Sequence, residues 1–395
     1  MNRTLPSSVL RAITDLNRAG FEAYVVGGCV RDTLMGKSPY DWDITTSALP
    51  DETLAVFSAY RTIHTGLQHG TVTVVIDELP LEITTYRIDG TYSDGRHPDS
   101  VAFTPSLTED LRRRDFTINA MAYHPDLGLV DPFGGRKDLE HSVIRCVGDP
   151  MQRFTEDALR ILRGLRFASA LGFAIENATA DAIHRLAPTL HAVSVERITS
   201  ECKRLLCGNY ATEILENFAD VFAVFMPETA NKISGVRLSD LPSVLRVRLA
   251  ALFQAADMSG EQAADILRRL RLDTQTITDV NSLLTPLSKS VYTEDAYILR
   301  LLNRLGPELV WDYFALHNMD VATIQRTKAL LDGDACYKVS MLAIDGQDLM
   351  RFGMPSGPKI GQTLNRLLES VMDGVCDNTK SSLLDYLKEQ KEPVP

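Results

Sequence analysis

Asp41 and Asp43, separated by Trp42, carry the clearest chemistry in this sequence. Side chains alternate along an extended strand, so both carboxylates face one side and Trp42 the other. Two like charges that close repel unless a cation lies between them. Paired carboxylate oxygens are what Mg²⁺ takes while it keeps water and substrate phosphates at its other positions. Glu82 stands inside the β-branched run Leu81 to Tyr86. On the face of the aspartates it would give three carboxylates able to hold two Mg²⁺ for an in-line phosphoryl displacement. Two exposed acids at a strand edge and a solvated strand face are the plainer accounts of the same letters.

Three further segments offer groups for phosphate. Gly27-Gly28 ends a strand over Phe21 to Val26 and precedes a helical stretch from Val30 to Met35. Backbone N–H groups at such a helix start attract anions, and Arg31 adds a forked cation one turn in. Gly36-Lys37-Ser38 is not a phosphate loop of the Walker type, which needs a glycine five positions before Gly36, where Arg31 stands. Arg112, Arg113 and Arg114 run into Asp115 and Asn119; in an amphipathic helix the last two are one turn apart and suit a triphosphate and ribose. Asp157, Arg160, Arg163 and Arg166 are spaced by three, which makes one polar helical stripe opposite Leu159, Leu162 and Leu165. An exposed row of ion pairs gives the same pattern, but arginine at all three basic positions leans toward planar, bidentate recognition.

These groups need elements to position them. Thr71 to Ile76 and Leu81 to Tyr86 are β-branched runs around a turn at Asp77 to Pro80, which predicts an antiparallel hairpin. A helix is expected over Val9 to Arg18, and a mobile loop between Arg87 and Val101, rich in Gly, Asp and Ser. From about residue 151 the pattern turns to helix after helix. Thr155 is the expected cap of a helix beginning at Glu156-Asp157, Gln262 to Leu270 is amphipathic, and Asp273 caps the next helix. Residues 391–395 are expected to fray. The result is an α+β head with a small mixed sheet, followed by helices.

Composition bounds the function. With 395 residues, 45% hydrophobic and 24% charged, the chain has room for two or three domains with cores of their own. Six cysteines without a C-x-x-C pair or nearby histidines argue for free thiols in a reducing cytoplasm and against a zinc cage. No apolar stretch near the amino terminus resembles a signal peptide, and none reaches the roughly 18 residues a membrane span needs, so a cytoplasmic protein without a membrane partner is expected. A net charge of −11 opposes non-specific wrapping of DNA, but Arg112-Arg113-Arg114 and Arg268-Arg269-Leu-Arg271 can each form a local basic surface. Nothing in the sequence specifies an oligomeric state.

In their order along the chain, Gly27-Gly-x-Val-Arg-Asp with Asp41-x-Asp43, Glu82-Ile-Thr-Thr-Tyr-Arg87, Arg113-Arg-Asp-Phe-Thr-Ile-Asn-Ala, Asp131-Pro-Phe-Gly-Gly135 and Glu156-Asp-x-x-Arg160 resemble one family. They are similar to the class II tRNA nucleotidyltransferases, the CCA-adding enzymes, and to their near relatives the bacterial poly(A) polymerases. The resemblance implies a nucleotidyltransferase head (1–150), a helical neck that reads the base (151–210), and helical body (211–310) and tail (311–395) that grip tRNA. It makes Asp41 and Asp43 the Mg²⁺ ligands, with Glu82 a third catalytic carboxylate. It makes Gly28, Arg31 and Arg114 contacts of the incoming nucleotide, and Asp157, Arg160, Arg163 and Arg166 the stripe that reads the base and holds the triphosphate. The implied substrates are tRNA, CTP and ATP.

Thr65-Gly-Leu-Gln-His-Gly, the short interval from Glu82 to Arg114, and Asp131-Pro-Phe-Gly-Gly135 resemble the CCA-adding branch more than the polymerases. A poly(A) polymerase, a specialist adding only A or only CC, and a non-catalytic RNA-binding protein with a relic head are the alternatives. None of the eight histidines is followed by aspartate, so a phosphohydrolase activity is not expected.

Overall fold

A computed structural model describes residues 5–90, 101–230, 232–287 and 293–389. The chain forms two compact units, Met1–Ser239 and Asp240–Pro395.

The first unit is built on a seven-stranded mixed sheet of order β3-β4-β5-β2-β1-β8-β9. Its strands are β1 (Ala23–Val26), β2 (Asp43–Thr46), β3 (Arg61–Ile63), β4 (Thr71–Ile76), β5 (Leu79–Thr85), β8 (Ala122–His124) and β9 (Gly128–Val130). The expected hairpin is β4–β5, and its turn is tighter than the sequence suggests. Asp77 and Glu78 alone make it, with φ of 48° and 64°, and Pro80 already lies in β5 opposite Val75. Positive φ at both central residues gives the turn the twist a two-residue hairpin needs. Asp77 is held there by Ser8 and Arg11 of α1 (Ser7–Arg18).

Strand β2 runs parallel to β5 and antiparallel to β1, which puts Asp43 beside Glu82 and Thr45 beside Thr84 on one face. On the other face Trp42, Ile44, Leu81 and Ile83 join the main core with Val9, Ile13 and Leu16 of α1. Arg87–Asp89 (β6) and Val101–Phe103 (β7) pair as a separate antiparallel ladder. These paired strands close the expected loop, whose residues 91–100 lie outside the described part.

The first unit continues as helices α6 (Pro150–Glu156), α7 (Leu159–Leu171), α8 (Asn177–Leu186) and α9 (Val195–Leu206), after α2 (Gly28–Leu34), α3 (Pro50–Val56), α4 (Leu107–Arg112) and α5 (Gly135–Glu140) in the head. The expected cap at Thr155 is wrong. Pro150 occupies the first turn of α6 and the Asp149 side chain accepts from Met151 N at 3.0 Å, so the helix starts earlier. Thr155 sits inside it and donates to Met151 O. The helix then breaks at Asp157 (φ −141°, ψ 102°) before α7 begins.

The described part of the second unit is helical. Asp273 caps the helix Thr274–Leu284 as expected, accepting from Thr276 N at 2.9 Å, and Ser259 and Gln262 form a capping box before Gly260–Arg269. The longest helix, Glu294–Leu316, bends at Gly306, whose φ of 76° precedes Pro307. The proline has no N–H to give and the glycine accepts the left-handed backbone, so the bend has a local cause. The expected body–tail boundary at 310/311 falls inside this helix. A small core of Ile344, Leu349, Leu367, Leu383 and Leu387 closes the carboxy-terminal part. Among the described residues no helix is long and apolar enough to cross a membrane.

Candidate functional site

In the first unit a cavity of about 570 Å³ lies between the sheet and helices α7 and α9. Its lining gathers nine of the ten residues that the resemblance singles out, Gly28, Arg31, Asp41, Asp43 and Arg114 from the head and Asp157, Arg160, Arg163 and Arg166 from the helical segment, together with Gly27, Arg113, Asp115 and Asn119. Glu82 is not part of the lining.

The acidic side is a two-aspartate shelf. Asp41 is exposed and precedes β2 rather than lying in it, yet the alternation survives because Trp42 is buried in the core between the two acids. Asp43 is half-buried. Burial pushes its carboxyl up to about 6, with the charge of Asp41 adding, Arg114 opposing and Glu82 adding again. Glu82 is its exposed neighbour across the parallel ladder. Among the described residues no group of three or more His, Cys, Asp or Glu converges on one point. The three carboxylates expected to share two Mg²⁺ therefore form a pair with a flanking acid. The pair itself fits a divalent cation, because two neighbouring carboxylates stand against the charge of Arg114.

Behind the shelf, Asp110 organises the arginines. It is fully buried, accepts from Thr45 Oγ1 at 3.1 Å, and pairs with Arg113 at 2.7 Å and Arg114 at 3.5 Å. Arg112 turns out toward Glu109. Gly27, with φ of 81°, has Arg114 Nη1 3.0 Å from where a Cβ would stand, so a side chain there meets both strain and the guanidinium. Asp115 and Asn119 do not share a helix as expected, since α4 stops at Arg112. A turn still joins them: Asn119 Nδ2 donates to Asp115 Oδ1 at 3.2 Å, and Asn119 Oδ1 accepts from Arg31 at 2.7 Å.

The expected stripe on α7 also needs correction. Asp157 lies at the helix break, where its side chain accepts from Leu159 N at 3.1 Å and from Arg197 at 2.9 Å. Arg160 is buried; it donates to Glu156 at 2.8 Å and to the Arg113 carbonyl at 3.0 Å. Arg163 pairs with Asp115 at 2.6 Å and Arg166 with Glu201 at 2.5 Å. Burial alone would raise the Asp115 carboxyl, but Arg163 and its hydrogen bonds bring it down to about 2. The same charge raises Arg163. This face is a packed network and not a solvated one.

Two further arginines of the cavity wall, Arg197 and Arg204, come from α9. With Glu201 they stand at i, i+4 and i+7, one helical face. A search for i, i+4 and i+7 polar spacing would have found them, whereas the step of three that singled out α7 runs from Arg197 to Ser200 and Lys203. Phe167, an apolar residue next to Arg166, also lines the cavity.

Comparison with known proteins places this site in a family. Residues 23–145 match the family described as Poly A polymerase head domain, 172–233 the probable RNA and SrmB-binding site of polymerase A, and 246–387 the putative tRNA nucleotidyltransferase domain 2. The CCA-adding enzyme of Enterococcus faecalis is 36% identical over 400 residues, covering 98% of each chain. The chain belongs to the CCA-adding enzyme family. That of Geobacillus thermodenitrificans is 37% identical over 96% of both chains. Among solved structures, the crystal structure of the Bacillus stearothermophilus CCA-adding enzyme in complex with CTP superposes with a TM-score of 0.81 at 32% identity, covering 97% of this chain and 96% of the other. Family membership thus extends over the helical second unit, where the sequence offered no motif.

Proposed function

We propose that this chain completes the 3′-terminal CCA of tRNA, transferring CMP and AMP from CTP and ATP without a nucleic-acid template and releasing pyrophosphate. The observation that carries the reading is the single cavity that puts the Asp41–Asp43 pair opposite the arginines of α2, α7 and α9. The full-length likeness to enzymes named CCA-adding supports the choice of reaction.

In this reading the RNA 3′-hydroxyl attacks the α-phosphorus in line with the departing pyrophosphate. Asp41 and Asp43 would hold Mg²⁺, which when bound favours loss of the hydroxyl proton and offsets charge on the leaving phosphates. Gly28 lets the backbone come close to the nucleotide, and Arg31, Arg114, Arg163 and Arg166 receive the triphosphate. Asn119, Asp110, Asp115 and Glu201 hold these guanidiniums in place beforehand, so little reorganisation is left for the reaction. Asp157 as acceptor and Arg160 as donor answer the amine and ring nitrogen that cytosine and adenine both present. Uracil and guanine present a carbonyl instead of that amine. Head (1–150) and neck (151–210) make this site, body (211–310) and tail (311–395) grip tRNA, and the reaction takes place in the cytoplasm.

Purified protein incubated with tRNA lacking CCA, CTP, ATP and Mg²⁺ should add CCA and stop. The match to a polymerase head favours poly(A) synthesis as a second reading; long A tracts on an unstructured oligonucleotide would establish it instead. Addition of CC alone or A alone would mark a specialist.

A further inference from the structure

Phe167 follows Arg166 on α7, is 7% exposed, and lines the cavity without offering a polar atom. Three guanidinium groups surround its ring. Arg166 Cζ lies 4.0 Å from the ring centroid, Arg31 5.1 Å and Arg163 5.6 Å. All three are within the ~6 Å over which a ring's quadrupole attracts a cation.

They come from distant parts of the chain, Arg31 from α2 on the sheet and the other two from α7. Gathering like charges is unfavourable by itself. Here Asp32 and Asn119 answer Arg31, Asp115 answers Arg163, and Glu201 answers Arg166. The ring is fixed in turn. Phe116 meets it edge-on at 5.9 Å and 81°, and Phe116 sits against Gly164, where a Cβ would come within 3.0 Å of its ring.

We propose that Phe167 is a positioning residue for nucleotide transfer, its ring being the platform that sets Arg31, Arg163 and Arg166 at the spacing of a bound triphosphate. The proposal rests on the reading of the cavity as a nucleotide site. A leucine or methionine fills most of the same volume but has no quadrupole, so the arginines lose their common reference while the helix keeps its packing. A role in packing alone predicts the opposite: lower melting temperature and unchanged affinity in the folded protein.

The test compares Phe167→Leu with the ring-keeping Phe167→Tyr in the full chain. Calorimetry measures binding of CTP and of inorganic tripolyphosphate in EDTA, and steady-state assays with Mg²⁺ and tRNA give KM and kcat. Phe167→Leu should weaken both ligands by about tenfold, equivalent to ~1.4 kcal/mol. KM for CTP and ATP should rise together, with a smaller change in kcat. Phe167→Tyr should stay within about twofold of wild type. Affinity within twofold of wild type in Phe167→Leu, or equal weakening in both variants, overturns the proposal. If Phe167→Leu does not fold, Phe167→Met serves as the ring-free variant. Wild-type protein that binds tripolyphosphate but transfers no nucleotide breaks the functional reading and leaves the ring dependence of anion binding to be judged directly. Wild type that binds neither ligand overturns the platform itself.

Discussion

The two sides of the cavity treat charge in opposite ways. On the α7 side Arg163 and Arg166 have carboxylate partners at 2.6 Å and 2.5 Å, and Arg160 is tied to Glu156 and to a backbone carbonyl. On the shelf, Asp41 and Asp43 stand together with Glu82 nearby and Arg114 opposing them, and burial first, then the charge of Asp41, drives Asp43 up to about 6. Arg160, Arg163 and Arg166 are paired before any ligand arrives, whereas the shelf keeps an imbalance that a bound cation would remove. Removing a shelf acid should therefore strike chemistry, and removing a wall partner should strike affinity, selectivity and stability.

The largest effect is expected on the shelf. Asp41→Ala or Asp43→Ala should lower kcat by at least about 10³-fold, the scale of losing metal-assisted stabilisation. Affinity for tRNA, measured by filter binding, should stay within a few-fold, since the helical second unit proposed to grip it is untouched. Turnover within tenfold of wild type in either variant breaks the contrast.

The next effect falls on selection. Truncating Asp157 and Arg160 together removes the acceptor and donor proposed to answer C and A. A wrong base leaves polar groups unpaired at about 1–3 kcal/mol each, a discrimination on the order of 30-fold to 10⁴-fold. Ratios of kcat/KM among CTP, ATP, UTP and GTP should shrink accordingly. The bond from Arg197 to Asp157 adds a check, because Arg197→Gln should shift the same ratios in the same direction but by less. Unchanged ratios in both variants would reduce the wall to a phosphate clamp.

Sequence showed the shelf more fully than the wall, for a physical reason. Asp41, Trp42 and Asp43 obey a period of two over three residues, and the β4–β5 hairpin follows from β-branched runs around one turn, so both are local. The wall is made by contacts between residues far apart in the chain, such as Arg163 with Asp115 and Arg197 with Asp157. A spacing of three from Asp157 to Arg166 picked out residues that line the cavity but the wrong local structure, because periodicity cannot see the break at Asp157 when helix lies on both sides. Alternation puts Glu82 on the face opposite Leu81 and Ile83, but it says neither that this is the aspartates' face, which the β2–β5 pairing decides, nor that an acid there reaches the cavity.

Acid should separate the wall from the shelf through stability. The Asp115 carboxyl is held at about 2 in the folded chain against an ordinary value of 3.8. A lowered folded value means the stabilisation is fully present above the ordinary value and is lost as pH falls through about 2. In Asp115→Asn, the half-buried Arg163 loses its nearest carboxylate, so at pH 7 the variant should be less stable by about 2 kcal/mol. That gap should narrow between pH 4 and pH 2 in parallel urea titrations. A constant gap over the range would mean that Asp115 contributes through shape rather than charge.

The smallest effect is expected at Glu82, and it sharpens what the shelf is. Its Cα is the ladder partner of Asp43, so its charge is felt there, yet its side chain is exposed, where water screens it. Asp41 and Asp43 line the cavity, whereas Glu82 stands beside them. Glu82→Gln keeps the size and the strand while removing the charge. If the shelf works as a pair, kcat should fall by less than about tenfold, far from the loss at Asp43, because only a long-range, screened interaction is removed. A loss of about 10³-fold, matching the aspartates, would make Glu82 a full third carboxylate that comes into place only when the cation and nucleotide are bound.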